Sequence, residues 1–107
     1  MAGSNLFVGT LDLLILRAVR SQPLHGYAIG AWIRDRTEGV LDVAEGALYP
    51  ALHRLEGKGM LEASWGQSET GRQAKFYRPT RRGQRELETE TQRWQEHSRA
   101  VAAALQG

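Results

Sequence analysis

The chain has 107 residues, 41% of them hydrophobic and 24% charged, ordinary proportions for one folded domain and too few residues for two independent cores. It contains no cysteine, which excludes disulfides, thiolate zinc sites and a cysteine nucleophile. The net charge is only +2, yet residues 53–85 hold eight Lys/Arg against three acids, a concentration that suits a polyanion-binding face.

No apolar run is long enough to span a membrane, and residues 1–8 lack the basic start and continuous apolar middle of a signal peptide. A cytoplasmic protein without a membrane partner is expected. Thr10 is placed to cap a first helix, with Asp12 in its first turn and Leu11, Leu14, Ile15, Ala18 and Val19 as the buried stripe. Ser21-Gln-Pro23 ends it. A second helix is predicted from about His25 to Thr37, with Ala28, Ile29, Trp32 and Ile33 on one face and Gly39 beyond its end.

The run from Glu45 to Leu61 carries the most information. At helical spacing Ala47, Leu48, Ala51, Leu52 and Leu55 form an apolar stripe, while Tyr49, Pro50, His53, Arg54 and Lys58 occupy the other side. A short helix that buries one face and offers a ring, an imidazole and two cations on the other suits a DNA groove. Pro50 lacks a backbone donor, a loss best tolerated near a helix start, and Gly57 and Gly59 close the helix.

A hairpin follows. Met60 to Trp65 has strand character, Gly66 to Gln73 is rich in turn formers, and Ala74 to Arg78 forms the returning strand, halted by Pro79. Arg72 and Lys75 sit beside a glycine at its tip, where a cation on a flexible turn can follow a phosphate path. Thr80 then starts a last helix of about 24 residues. Leu87, Trp94 and Val101 recur every seven residues, with Thr91, Ser98 and Leu105 between them. This seam of period 3.5 is too narrow to cover a core and suits another helix, supplemented by Leu6-Phe-Val8 and the first helix.

The whole reads as mainly α with a small β-hairpin: a winged helix-turn-helix over residues 1–79, plus a long C-terminal dimerisation helix over 80–107 in the same globular unit. A twofold dimer would present two recognition helices to half-sites of an inverted-repeat operator in double-stranded DNA. The sequence shows no nucleophile elbow, phosphate loop, dinucleotide fingerprint or paired carboxylates, so no enzyme and no cofactor are expected. Three scattered histidines without carboxylates at ligand spacing do not make a metal site. The competing readings are a winged helix that binds protein, which would normally lose the basic patch, and an architectural protein that binds DNA without sequence preference.

Three stretches together resemble the PadR family of bacterial transcriptional regulators. They are Gly9-Thr-Leu-Asp-Leu-Leu-Ile-Leu16 with Leu24-His-Gly-Tyr27; Glu45-Gly-Ala-Leu-Tyr-Pro-Ala-Leu-His-Arg-Leu55; and Ala74-Lys-Phe-Tyr77 with Thr80-x-x-Gly83 and a tryptophan fourteen residues after the threonine. The single helix after the wing looks like the smaller branch of that family. The resemblance implies a dimeric winged-helix repressor whose last helix exchanges with its partner, and often a response to phenolic or other small aromatic molecules. Carried onto this chain, the DNA-binding positions are Tyr49, Pro50, His53, Arg54 and Lys58, with Arg72 and Lys75 on the wing. Trp94, near the middle of the seam, would face its twofold mate and could stack a flat ligand. Pro79 departs from the family, which usually has an aliphatic residue there, and is expected to shorten the second strand. Glu69 at the wing tip weakens the local positive field.

Overall fold

The computed structural model describes residues 2–107, and their side chains from Gly9 onward. Leu6, Phe7 and Val8, expected to supplement the seam, lie outside the described side chains. The elements are α1 (Ala2–Ala18), β1 (Leu24–His25), α2 (Gly26–Arg36), α3 (Glu45–Gly57), β2 (Leu61–Gln67), β3 (Gln73–Pro79) and α4 (Arg81–Leu105). The strands form one antiparallel sheet in the order β1-β3-β2.

The core is where the apolar faces of the first three helices meet. Ile15, Leu16 and Val19 of α1, Ile29 and Ile33 of α2, and Leu48, Ala51, Leu52 and Leu55 of α3 are all buried, closed over by Leu61, Tyr77 and Leu87. The predicted stripes of α2 and α3 are thus those that pack. Trp32 is only partly buried, its indole flanked by the guanidinium carbons of Arg17 and Arg36 at 5.6 and 5.1 Å.

Local bonds set the helix boundaries. His25 caps α2: its Nδ1 accepts the Ala28 N–H at 3.2 Å. After α2, Glu38 and Gly39 both take positive φ, and the Thr37 hydroxyl donates to the Ile33 carbonyl and accepts the Leu41 N–H. These bonds turn the chain from α2 into α3. Thr80 caps α4 by accepting the Gly83 N–H at 3.0 Å, while its own hydroxyl donates to the Gly59 carbonyl at 2.6 Å and its N–H to the Met60 carbonyl. A Cβ on Gly83 would stand 2.1 Å from the Met60 carbonyl oxygen. The Thr-x-x-Gly pattern is therefore a cap and a close approach in one, which seats the start of α4 on the α3–β2 turn.

Several boundaries differ from those expected. Thr10 is interior to α1, which starts at Ala2; nothing upstream breaks a helix, and a single glycine such as Gly9 costs it only about 1 kcal/mol. The hairpin strands run on to Gln67 and from Gln73, paired across Gln67↔Gln73, so the turn is only Ser68–Arg72 and Lys75 belongs to a strand. Gly71 at φ 82 and the Ser68 N–H to Arg72 carbonyl bond close that turn. Pro79 does not shorten β3; it is the last paired residue, opposite Leu61. The proline is tolerated because β1 reaches only Phe76 and Tyr77, leaving β3 with a neighbour on one side at its end. Pro50 lies inside α3 rather than in its first turn, which deprives the Gly46 carbonyl of its usual donor.

Candidate nucleic-acid interface

α3 positions the interface. Burial of Leu48, Ala51, Leu52 and Leu55 turns Gly46, Tyr49, Pro50, His53 and Gly57 outward, so the expected polar face is real but narrower than its composition suggested. Tyr49 is held from behind: its ring lies over Gly26, where a Cβ would come within 2.7 Å of the ring edge and 2.8 Å of the hydroxyl. The glycine of the His-Gly-Tyr run thus makes room for the ring of the third helix. Lys58 follows as the C-cap residue, exposed and without an ion pair among the described residues.

Arg54 lies at the margin of that face. Its Nη2 donates to the Asp12 carboxylate on α1, and its Nε is buried without a partner. The arginine is thereby a tie between two helices. Lys75 is similarly engaged. Its Nζ donates to Glu56 at 2.9 Å and stands 5.5 Å from the centre of the Tyr77 ring. The hydrogen bond that Lys75 donates to Glu56 raises the Lys75 pKa above the ordinary lysine value, and burial raises that of the Tyr77 phenol. Arg78 pairs with Glu62 at 3.6 Å. Arg72, on the wing tip, is exposed and forms no ion pair among the described residues.

Glu69 is less an obstacle to charge than a tether. Because His25 Nδ1 accepts from Ala28, its Nε2 carries the proton and donates to Glu69 Oε1 at 3.3 Å. The His25 ring also meets Phe76 edge-on at 5.2 Å. The same side chain therefore caps α2 and steadies the wing, a role the sequence offered no spacing to find. Between wing and helices lies a groove of about 520 Å³, walled by Tyr27, Tyr49, Trp65 and Tyr77 and bordered by Arg72 and Lys75.

α4 carries the seam residues. Leu87 is buried against its own domain, whereas Thr91 is half-buried and Trp94, Ser98, Val101 and Leu105 are exposed. Trp94 lines a recess of about 210 Å³ between α1 and α4 with Gly9, Thr10, Leu13, Glu90, Arg93 and His97. Among the described residues there is no cluster of side chains able to hold a metal, and no helix is long and apolar enough to cross a membrane.

A helical core carrying an outward third helix and a two-stranded wing defines the winged helix-turn-helix class of DNA-binding transcriptional regulators. Residues 15–89 match the model of the Transcriptional regulator PadR-like family, and the chain belongs to that family. It is 32% identical over 107 residues to an uncharacterised protein of Lysinibacillus sphaericus, covering all of this chain and 98% of that one. Among solved structures, a transcriptional regulator from Clostridium thermocellum superposes with a TM-score of 0.85 at 26% identity, covering 96% of this chain and 97% of that chain. A PadR-like regulator from Bacillus cereus gives 0.79 at 29%, over 92% and 94%, and a PadR family regulator from Eggerthella lenta gives 0.79 at 30%, over 98% and 89%. The chain is a PadR-family transcriptional regulator. Proteins of this family bind DNA and are generally not enzymes.

Proposed function

We propose that the protein is a homodimeric, sequence-specific repressor that occupies an inverted-repeat operator. The observation that carries this reading is the outward face of α3, with Tyr49, Pro50 and His53, together with an exposed Arg72 on the wing that shares a groove with Tyr49 and has no ion pair among the described residues. Tyr49 and His53 face base edges and sugars in the major groove, and Lys58 and Arg72 take phosphates. Lys75 serves the wing root through Glu56. Arg54 fixes the angle of α3 on α1 rather than reading a base. In this reading residues 1–79 bind DNA and residues 80–107 dimerise, burying Thr91, Trp94, Ser98, Val101 and Leu105 against the partner. The recess at Trp94 is small for a ligand on its own; doubled across a twofold axis it takes a flat aromatic effector that releases the operator.

The test is selection of the purified protein against a random duplex pool at near-physiological salt. Enrichment of an inverted repeat with half-sites about 34 Å apart supports the dimeric specific regulator. Binding without enrichment that vanishes as salt rises overturns it. With the operator in hand, aromatic compounds that change neither tryptophan fluorescence nor DNA affinity remove the effector from the account.

A further inference from the structure

Trp65 lies on β2 of the wing and lines the groove between wing and helices. Strand register fixes where it points. Directly opposed residues in an antiparallel pair share a face, and Trp65 opposes Lys75 as Ala63 opposes Tyr77 and Leu61 opposes Pro79. Leu61 and Tyr77 on that face are buried, and Lys75 on the same face reaches Glu56 of α3. The inner face of the hairpin is therefore apolar at its root and continues outward to Trp65, which is 68% exposed. It projects past the edge of the core on the side of the recognition helix.

Tyr27 and Tyr49 line the same groove and are 72% and 44% exposed. A lone exposed ring needs no explanation, but three in one concavity beside an arginine do. Glu69 is the one acid in its lining; it accepts a hydrogen bond from His25 and keeps its negative charge at the wing tip. Aromatic walls with Arg72 at the border, the one cation of this lining without an ion pair among the described residues, fit a sugar–phosphate strand, which offers deoxyribose faces and anionic oxygens at alternate positions. The groove is also continuous with the outward face of α3 through Tyr49, which lines both.

We propose that this groove grips one DNA backbone strand, with Trp65 and Tyr27 packing on deoxyribose rings from either side and Arg72 pairing with the intervening phosphate. The proposal rests on the DNA-binding reading above. Because the aromatic contacts release no counterions, they add affinity without adding to its salt dependence. They also add it equally to operator and unrelated duplexes, because sugars carry no sequence.

The experiment measures binding of the full-length protein to the selected operator and to a scrambled duplex over a range of salt, for wild type, Trp65→Ala, Tyr27→Ala and Arg72→Ala. Trp65→Ala is expected to weaken both duplexes by a similar factor, about 5- to 10-fold by analogy with base–aromatic stacking, with the salt slope unchanged. Tyr27→Ala should behave likewise, and serves if Trp65→Ala lowers the melting temperature. Arg72→Ala should instead flatten the slope. Wild-type affinity in both aromatic variants overturns the proposal, as does a loss confined to the operator. Failure of the wild type to bind any duplex would instead remove the DNA-binding reading itself, a result distinguishable from either.

Discussion

The Asp12–Arg54 pair allows the sharpest test of how α3 is held. The two side chains are 20% and 34% exposed, between the fully buried pairs whose breaking costs about 3–5 kcal/mol and the exposed pairs worth about 0–1 kcal/mol. Interpolating for that residual exposure gives a coupling of about 1.5–2 kcal/mol. Arg54 Nε already lacks a partner, so loss of Asp12 would leave the guanidinium with a desolvated charge and little to answer it. Asp12→Ala is therefore expected to destabilise the protein, lowering its melting temperature by about 6–16 °C on the usual scaling for a domain near this size. Arg54→Ala should cost a similar amount, part of it lost packing of the aliphatic stem.

The double-mutant cycle of Asp12→Ala and Arg54→Ala isolates the pairwise part. It is read by urea unfolding followed by circular dichroism at one fixed protein concentration, since a dimer's stability varies with concentration. The double variant should be no less stable than either single one. A coupling below about 0.5 kcal/mol would mean that the pair behaves as an exposed one, and the idea that it sets the angle of α3 would fall. If Arg54 reads a base instead, Arg54→Ala would relax sequence preference at one operator position while leaving stability nearly intact.

Two glycines should respond oppositely to alanine. At Gly83 the new methyl meets a backbone carbonyl that cannot yield, so Gly83→Ala should cost about 3 kcal/mol or more in urea unfolding. At Gly26 it meets the far end of the half-exposed Tyr49 side chain, so Gly26→Ala should change stability by less than about 1 kcal/mol yet weaken operator binding as the ring swings away. Lys75 and Tyr77 both have raised pKa values, so the unfolded chain loses these protons first and their contribution is full below pH 10 and lost as pH rises through the folded values. Thermal melts should be insensitive to these two groups from pH 7 to 9 and should fall above about pH 10, less steeply in Lys75→Met.

Much of this was legible because it is local. The stripe of α3, the Thr80 cap and the glycines after α3 each depend on neighbours within a turn or two of helix. The pairings that redirect Arg54 and Lys75 are not local: Asp12 lies 42 residues before Arg54, and Glu56 lies 19 before Lys75. Periodicity assigns a residue to a face, but which opposite charge meets it there depends on how the faces pack. β1 was missed because two residues carry no periodic signal; it exists only as an addition to β3. Leu87 matched the seam by spacing, but its position near the start of α4, seated by Thr80 and Gly83, carries it into the core of its own domain.

These pairings also change what the basic segment can contribute. Of the eight cations between residues 53 and 85, Arg54, Lys75 and Arg78 are matched with Asp12, Glu56 and Glu62. Arg81, Arg82 and Arg85 belong to the start of α4, beyond the root of the hairpin and a strand length of about 20 Å from the wing tip. Lys58 and Arg72 are what remains for the phosphates met by α3 and the wing. The proposed dimer would present four such cations, for which the salt slope would be about −3.6, shallow for a specific binder. If α3 and the wing make the DNA contacts, counterion release from these cations is small, and the rest of the affinity comes from contacts that salt does not screen. On this surface those are the rings of Tyr27, Tyr49 and Trp65 and the polar edge of His53. On the proposed reading, the economy of free charge and the excess of exposed aromatic surface are two sides of one arrangement, in which intramolecular acids hold the cations that shape the fold and uncharged groups supply most of the grip on DNA.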